Sequence, residues 1–222
     1  MNIEKKQIAY NRVTRNSAIR YIVIHDTGNK SKGADADSHF RYFNGGNRNS
    51  SADFFVDDKT VLQVNDYTKY YTWHVGDGKG KYGITNQNSV GIEICVNADG
   101  NYDTAYLKAA ELTKYLMKQL GIDASHVVRH YDASRKNCPA SMSANNWALW
   151  EKFKRLIKEE IKMAECKFTD ISGHYGEKQI REVFEMGIMN GVDETHFNPN
   201  EPVTRAQAAI IARNVVRYIT GK

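Results

Sequence analysis

The sequence is poor in the features that mark several classes of protein. Only three of its 222 residues are proline and three are cysteine, and no apolar run approaches the roughly 20 residues of a membrane helix. Three widely spaced cysteines do not indicate a disulfide framework. Dense blocks of lysine and arginine, zinc-finger motifs and RNA-binding motifs are also missing. We therefore expect neither a disulfide-stapled protein nor a membrane or nucleic-acid partner.

The residues that are present describe a folded protein with an uneven charge. Hydrophobic residues make up 41% and charged residues 26%, which predicts a packed core. Residues 1–167 hold 25 Lys/Arg against 19 Asp/Glu, whereas residues 168–222 hold 6 against 7. The basic excess of the first part favours an anionic polymer as partner. Because residues 1–16 are polar, we expect synthesis in the cytoplasm without a signal peptide.

The order of apolar segments predicts an α/β fold. Short β-branched runs bounded by turn residues indicate strands, and longer segments with helical spacing indicate helices. Strands are predicted at 21–24, 54–56, 60–64, 90–96 and 126–129, and helices at 35–43, 104–120 and around 147–161. This alternation predicts a mixed central β-sheet flanked by helices.

A smaller second unit follows the last of these helices. The composition changes near Phe168, and helices are predicted at 175–186 and 204–218. Thr204 and Gln207 have the spacing of a capping box at the start of the second helix. We therefore predict domains at 1–162 and 163–222, the latter small and all-α.

Three residues suited to binding zinc follow predicted strands. His25 and His130 each stand at a strand end, and Cys138 lies eight residues after His130. Catalytic zinc commonly takes three protein ligands and leaves its fourth position to water. Spacing alone also allows ordinary hydrogen-bonded histidines, and it allows Cys138 to be a nucleophile with one histidine as its base.

Two further residues suit hydrolysis of an amide. Glu93 interrupts an apolar strand, where an unpaired carboxylate is costly to bury. It either faces solvent on an edge strand or points into a cleft, where it can take a proton from water. Lys136 can stabilise an oxyanion, or it can be an ordinary loop lysine.

Three blocks of sequence resemble the zinc N-acetylmuramoyl-L-alanine amidases related to peptidoglycan recognition proteins, especially phage endolysins. The blocks are Tyr21-Ile-Val-Ile-His25-Asp-Thr, Ser89-Val-Gly-Ile-Glu93-Ile and Arg129-His130 through Lys136-Asn-Cys138-Pro139. The resemblance implies a zinc ion held by His25, His130 and Cys138. It also implies Glu93 as the catalytic carboxylate and Lys136 as the stabilising lysine.

The match has one departure and one variable segment. Ala52-Asp53-Phe54 stands where many relatives have an aromatic-histidine pair, which favours a mechanism that relies on Glu93. Trp73 and His74 resemble a segment that borders the substrate groove. We therefore expect these two residues to contact substrate, and packing is the alternative.

The second unit resembles a single S-layer homology domain. The matching segments are Phe168-Thr-Asp170-Ile171, Gly187-Ile188-Met189-Asn190-Gly191, Phe197-Asn-Pro199 and Val203-Thr204-Arg205-Ala206-Gln207. The resemblance implies binding to pyruvylated secondary cell-wall polysaccharide, with Arg205 pairing with a carboxylate. Such domains usually occur in threes. A lone copy oligomerises, binds weakly or is a structural appendage, and we favour a homo-oligomer.

These resemblances predict a peptidoglycan hydrolase of the endolysin kind, which acts on the Gram-positive cell wall after its release. The predicted reaction is zinc-dependent cleavage of the bond between N-acetylmuramic acid and L-alanine. A recognition protein that binds peptidoglycan without cutting it is the alternative. Members that only bind typically lack the cysteine ligand, so Cys138 and Glu93 argue against that alternative.

Overall fold

A computed structural model describes residues 1–158 and 166–220 of the chain. The chain divides into two compact units, Met1–Lys158 and Glu159–Lys222. The predicted domain boundary at 162/163 lies outside the described residues, and the domain limits stay a prediction. None of the described helices combines the length and apolar composition that a membrane crossing requires.

A six-stranded sheet forms the centre of the first unit. The eight strands of this unit are β1 (Glu4–Lys5), β2 (Arg12–Thr14), β3 (Tyr21–Asp26), β4 (Phe54–Val56), β5 (Val61–Gln63), β6 (Tyr70–Thr72), β7 (Ser89–Ile94) and β8 (Val127–Arg129). Six of them pair in the order β1-β5-β4-β7-β3-β8, while β2 and β6 form a separate antiparallel pair. Within the six-stranded sheet, only the β4–β5 hairpin is antiparallel.

Helices cover both faces of this sheet. The helices of the first unit are α1 (Ala36–Asn44), α2 (Tyr102–Leu120), α3 (His130–Ser134) and α4 (Ala144–Lys158). Ile24 and Ile92 are fully buried on one face in a cluster that also contains Leu112 of α2 and Phe153 of α4. On the other face, Phe55 is buried with residues of α1. Side chains alternate along a strand, so neighbours of Ile24 and Ile92 in sequence point away from the α2–α4 layer.

The predicted α/β class and its flanking helices are confirmed by this arrangement. The prediction for His130 needs a small correction, because β8 ends at Arg129 and His130 is the first residue of α3. The sequence did not reveal β1, β2 and β6, which are two or three residues long and hold few buried side chains.

The second unit contains two helices among its described residues, α5 (Glu177–Glu185) and α6 (Arg205–Thr220). Its core is small and centres on Phe168, Ile171 and Ile180. The predicted capping box is confirmed. The backbone N–H of Gln207 donates to Thr204 Oγ1 at 3.2 Å, and the backbone N–H of Thr204 donates to Gln207 Oε1 at 2.8 Å.

Candidate active site

Strand register brings the first site residues together. His25 on β3 lies directly opposite Glu93 on β7, and both are the fifth residue of their strands. On the other side of β3, Ile24 pairs with Arg129, the last residue of β8, so His130 follows at the same end of the sheet. Because these strands are parallel, their carboxyl ends meet at one edge. The site therefore lies at that edge, on the face opposite the α2–α4 layer.

Three ligand-type atoms converge there. His25 Nδ1 lies 3.1 Å from His130 Nδ1 and 3.8 Å from Cys138 Sγ, and all three atoms lie within 4.8 Å of one another. The three side chains are buried. In a tetrahedral zinc site, ordinary bond lengths separate two nitrogen ligands by about 3.4 Å and nitrogen from sulfur by about 3.6 Å. The two separations from His25 Nδ1 lie close to these values.

Each histidine of this set has a hydrogen-bond partner on its far nitrogen. His25 Nε2 lies 3.0 Å from His74 Nδ1, and His130 Nε2 lies 2.8 Å from Asp77 Oδ1. Burial lowers the pKa of both His25 and His130, so each is neutral at pH 7. A carboxylate only accepts, so His130 donates its Nε2–H to Asp77 and keeps a lone pair on Nδ1.

Glu93 lies beside this set with an incompletely paired carboxylate. Its Oε1 is 3.9 Å from His25 Nδ1, and its side chain is 19% exposed. Its Oε2 is buried without a hydrogen-bond partner among the described residues. Burial, and to a smaller extent the carboxylate of Asp26, raise the pKa of Glu93 to about 8 against the opposing effect of Lys136. Such a carboxyl group can both accept and donate a proton near neutral pH.

A cavity of about 610 Å³ opens over these residues. It is lined by His25, Glu93, His130 and Cys138, and Lys136 contributes an exposed side chain to its wall. The cavity continues away from the histidines toward α1 and the loop before it. The structure thus brings the five predicted ligand and catalytic residues to one opening, although their roles stay predictions.

The thiol of Cys138 is poorly suited to act as a nucleophile by itself. Burial raises its pKa, and the neighbouring Glu93 carboxylate raises it further. A positive neighbour favours a reactive thiolate, and Lys136 acts in that direction on Cys138, but burial outweighs it. The pKa of His25 and that of His130 are both lowered, so neither histidine adds a positive charge. This electrostatic setting suits a metal ligand better than a cysteine nucleophile.

The other predicted contact residues lie in different settings. Trp73 lines a separate depression with Tyr71, outside the cavity that contains Glu93. His74 borders that cavity but is only 7% exposed and packs behind His25. Arg205 is exposed at the start of α6 in the second unit. Contact of these residues with substrate or polysaccharide stays a prediction.

The sequence did not indicate two residues that contact histidines of this region, one at His130 and one at His74. Asp77 accepts from His130, and Ser89 Oγ lies 3.1 Å from His74 Nε2. Asp77 is 53 residues from its histidine, so no local spacing indicates the pair. The only available signal was its place in a glycine-rich loop directly after Trp73 and His74.

Two family models match the chain. Residues 15–141 match the N-acetylmuramoyl-L-alanine amidase model, which is more than half of the chain. Residues 167–209 match the S-layer homology domain model. Both resemblances drawn from the sequence are thereby confirmed.

Curated proteins from Bacillus subtilis (strain 168) are similar to this chain. N-acetylmuramoyl-L-alanine amidase CwlH is 40% identical over 122 residues, which are 55% of this chain and 48% of CwlH. N-acetylmuramoyl-L-alanine amidase XlyA is 39% identical over 134 residues, or 60% of this chain and 42% of XlyA. The chain thus spans about half the length of the curated relatives it matches.

Solved structures agree with these relatives. The catalytic domain of XlyA matches with a TM-score of 0.61 at 36% identity, covering 71% of this chain and 99% of that domain. A mutant endolysin from Bacillus subtilis matches with a TM-score of 0.63 at 39% identity, covering 70% and 98%. The sequence match and the shared fold lead to one conclusion: this chain belongs to the N-acetylmuramoyl-L-alanine amidase family.

Proposed function

We propose that this protein is a zinc-dependent peptidoglycan hydrolase that cleaves the amide bond between N-acetylmuramic acid and L-alanine. The observation that carries the proposal is the convergence of three metal-ligating atoms and a partly unpaired carboxylate in one cavity. Family membership supports the same reaction. In this proposal residues 1–162 form the catalytic domain.

His25, His130 and Cys138 would hold the zinc ion. Their donor set of two imidazoles and one thiolate is one that catalytic zinc uses, and it leaves a fourth position for water. When bound, zinc polarises the scissile carbonyl and lowers the pKa of water. The Cys138 thiol must lose its proton to bind the ion. Because burial raises the pKa of this thiol, its deprotonation requires a cation nearby.

Glu93 moves the proton of the reaction. Its carboxylate accepts a proton from water as the water oxygen forms a bond to the carbonyl carbon. The same proton then passes to the nitrogen of L-alanine as the carbon–nitrogen bond breaks, which yields a carboxylic acid and an amine. The unpaired Oε2 leaves a place for the proton, and a pKa raised to about 8 favours its delivery to the departing nitrogen.

Lys136 stabilises the negative charge that develops on the carbonyl oxygen. Its ammonium group lies on the wall of the cavity and is close enough to influence the pKa of Glu93, His130 and Cys138. A fixed positive charge next to a developing oxyanion lowers the barrier more than the same charge in water.

Two other functions have less support. A recognition protein that only binds peptidoglycan has no use for a buried thiol beside two histidines and an unpaired carboxylate. A cysteine hydrolase would need a thiolate, which the raised pKa of Cys138 and the neutral histidines disfavour. A chelator distinguishes these functions from the proposed one. It should inactivate a zinc enzyme but not a thiol enzyme, whereas a binding protein releases no product with or without it.

The test uses purified Gram-positive cell walls and the full-length chain. Wild type should lower turbidity and release new L-alanine amino groups without reducing sugar ends. Glu93→Gln should lose about 10²–10⁴-fold in rate, because the proton carrier is gone. Glu151→Gln on the exposed side of α4 is the matched control and should keep full activity. Walls that are bound but not cut would overturn the proposal.

For residues 163–222 we propose attachment to secondary cell-wall polysaccharide. The match of residues 167–209 to the S-layer homology domain supports cell-wall targeting. Arg205 is exposed in the first turn of α6, and no ion pair is found for it among the described residues. Its guanidinium is thus available for bidentate pairing with a carboxylate of an acidic polysaccharide.

We propose that this unit also forms a homo-oligomer. None of the described side chains of α6 is buried, and Ile210 and Tyr218 are both 57% exposed. A helix that keeps its apolar residues in water is stabilised when a second copy covers them.

The protein would act on the cell wall after synthesis in a host cytoplasm. Several linked copies would then hold a polymeric wall more firmly.

A further inference from the structure

A line of hydrogen bonds runs from a backbone carbonyl to the ligand histidine His25. Ser89 Oγ lies 2.5 Å from the carbonyl oxygen of Thr85 and 3.1 Å from His74 Nε2. His74 Nδ1 lies 3.0 Å from His25 Nε2. The line therefore contains four groups, of which only the carbonyl oxygen is unable to donate.

The direction of every hydrogen bond in this line follows from that carbonyl. The carbonyl oxygen of Thr85 only accepts, so the Ser89 hydroxyl donates its hydrogen to that oxygen. Ser89 Oγ then accepts from His74 Nε2–H, and a neutral His74 has a lone pair on Nδ1. His74 Nδ1 accepts from His25 Nε2–H. His25 is left with a lone pair on Nδ1, the nitrogen that faces His130 and Cys138.

The packing around His74 holds its ring in this position. An ideal Cβ on Gly91 would lie only 2.8 Å from Cγ and Nδ1 of His74, so the ring rests directly against the backbone of β7. Asn86 Oδ1 accepts from the backbone N–H groups of His74 and Val75 at 3.0 and 2.8 Å. Glycine at position 91 thus leaves the space that the ring occupies.

The same assignment explains why a cation suits the site. With hydrogens on both Nε2 atoms, His25 and His130 direct two lone pairs at each other across 3.1 Å. No hydrogen lies between them, so the two lone pairs repel each other, and a cation beside both nitrogens would relieve that repulsion. In this arrangement His74 contacts the candidate ligand set through His25.

We propose that His74 is a positioning residue that fixes His25 as the tautomer with hydrogen on Nε2, so that Nδ1 is free to bind the metal. This inference rests on the proposed zinc site and deepens it. It also reassigns His74 from the predicted groove wall to the support of a ligand. The expected consequence is a loss of metal affinity when the acceptor is removed, of about 10–100-fold.

Two variants separate the acceptor from the bulk of the side chain. His74→Phe keeps an aromatic ring against Gly91 and lacks both nitrogens. His74→Asn lacks the ring and keeps an oxygen near the place of Nδ1. In competition with a chromogenic chelator, the zinc dissociation constant of the full-length His74→Phe chain should rise about 10–100-fold. His74→Asn should stay close to wild type, as should the control His126→Phe at an exposed histidine.

A second measurement reads the tautomer without any metal. Nitrogen NMR of the imidazole rings in the metal-free chain should show hydrogen on His25 Nε2 in wild type and in His74→Asn, and a mixture of tautomers in His74→Phe. Unchanged zinc affinity in His74→Phe would overturn the inference, even with a lower melting temperature. An equal loss in both variants would also overturn it, because packing alone would then explain the effect.

The two proposals fail in different ways. Wild type that binds no zinc but has hydrogen on His25 Nε2 would refute the proposed zinc enzyme and support the assignment of hydrogen bonds. Wild type that cleaves walls with zinc but has hydrogen on His25 Nδ1 in the metal-free chain would refute the role of His74 and leave the activity intact.

Discussion

The two units of the chain differ in how far the side chains of their candidate sites are buried. In the first unit, the ligand-type side chains are buried, and each histidine of the set has a hydrogen-bond partner from the same unit. In the second unit, none of the described side chains of α6 is buried, and Arg205 projects into solvent. The first unit thus holds its candidate site among buried side chains, whereas the second unit presents its candidate residue on an exposed surface.

This difference has a physical cause in the size of the two cores. The first unit packs helices on both faces of a six-stranded sheet, which supplies rigid positions at the strand ends. The second unit has a cluster of three buried residues with a few partly buried neighbours. Chemistry requires side chains held within a fraction of an ångström, and attachment to a polymer tolerates a looser surface. The two units therefore suit catalysis and attachment respectively.

Removing one ligand gives the largest expected effect, and it tests whether the first unit is self-contained. Cys138→Ala should lower both zinc affinity and wall hydrolysis by more than about 10³-fold, because a direct ligand contributes more than the 10–100-fold of a ligand's partner. Equilibrium dialysis with zinc and a turbidity assay measure the two quantities.

The matched control is Cys166→Ala, which changes a partly exposed thiol of the second unit. It should leave zinc binding and hydrolysis unchanged. A Cys138→Ala protein that still hydrolyses walls at a wild-type rate would show that the buried thiol is not part of the reaction. An effect of Cys166→Ala on zinc affinity would show that the first unit is not self-contained.

Much of this site was predictable from local sequence. The apolar run before His25 predicts a buried strand, and the lone carboxylate in the strand at 90–96 predicts a special role for Glu93. Parallel pairing of these strands then puts both residues at one edge, as the register shows. Their specific roles came from the family resemblance and not from spacing.

The support of the ligands could not be predicted in this way. His74 and His25 are 49 residues apart, and Ser89 contacts His74 from the first position of β7. Only the folded loop after β6 brings these groups together, and no periodicity of the sequence encodes that approach. The segment Trp73-His74 therefore predicts a groove from sequence, and the structure adds that the ring of His74 packs against His25.

Removal of residues 166–222 gives the next largest effect and tests the attachment role. The first unit packs its own core against both faces of the six-stranded sheet, so we expect it to fold without the second unit. Truncation should leave hydrolysis of a soluble muramoyl peptide unchanged and should weaken binding to intact walls by about 10²-fold, because linked attachment is lost.

Sedimentation of the same two proteins tests the oligomer. The full-length chain should sediment as a multiple of its 25.3 kDa mass, and the truncated chain should be monomeric. A monomeric full-length chain would contradict oligomerisation through α6. Equal wall binding by the two proteins would show that attachment resides in the first unit, whose sequence holds the basic excess.

Substitution of a single arginine gives the smallest expected effect and tests whether one side chain attaches the second unit to the wall. Arg205→Ala should weaken binding to walls that contain pyruvylated polysaccharide by about three- to tenfold, the range of one exposed charge-assisted pair. Arg205→Lys should recover part of the loss, since it keeps the charge but not the bidentate geometry. Arg217→Ala is the matched control, because Arg217 is equally exposed near the other end of α6. Equal losses for the two alanine variants would indicate that net charge, and not a site at the start of α6, attaches the second unit.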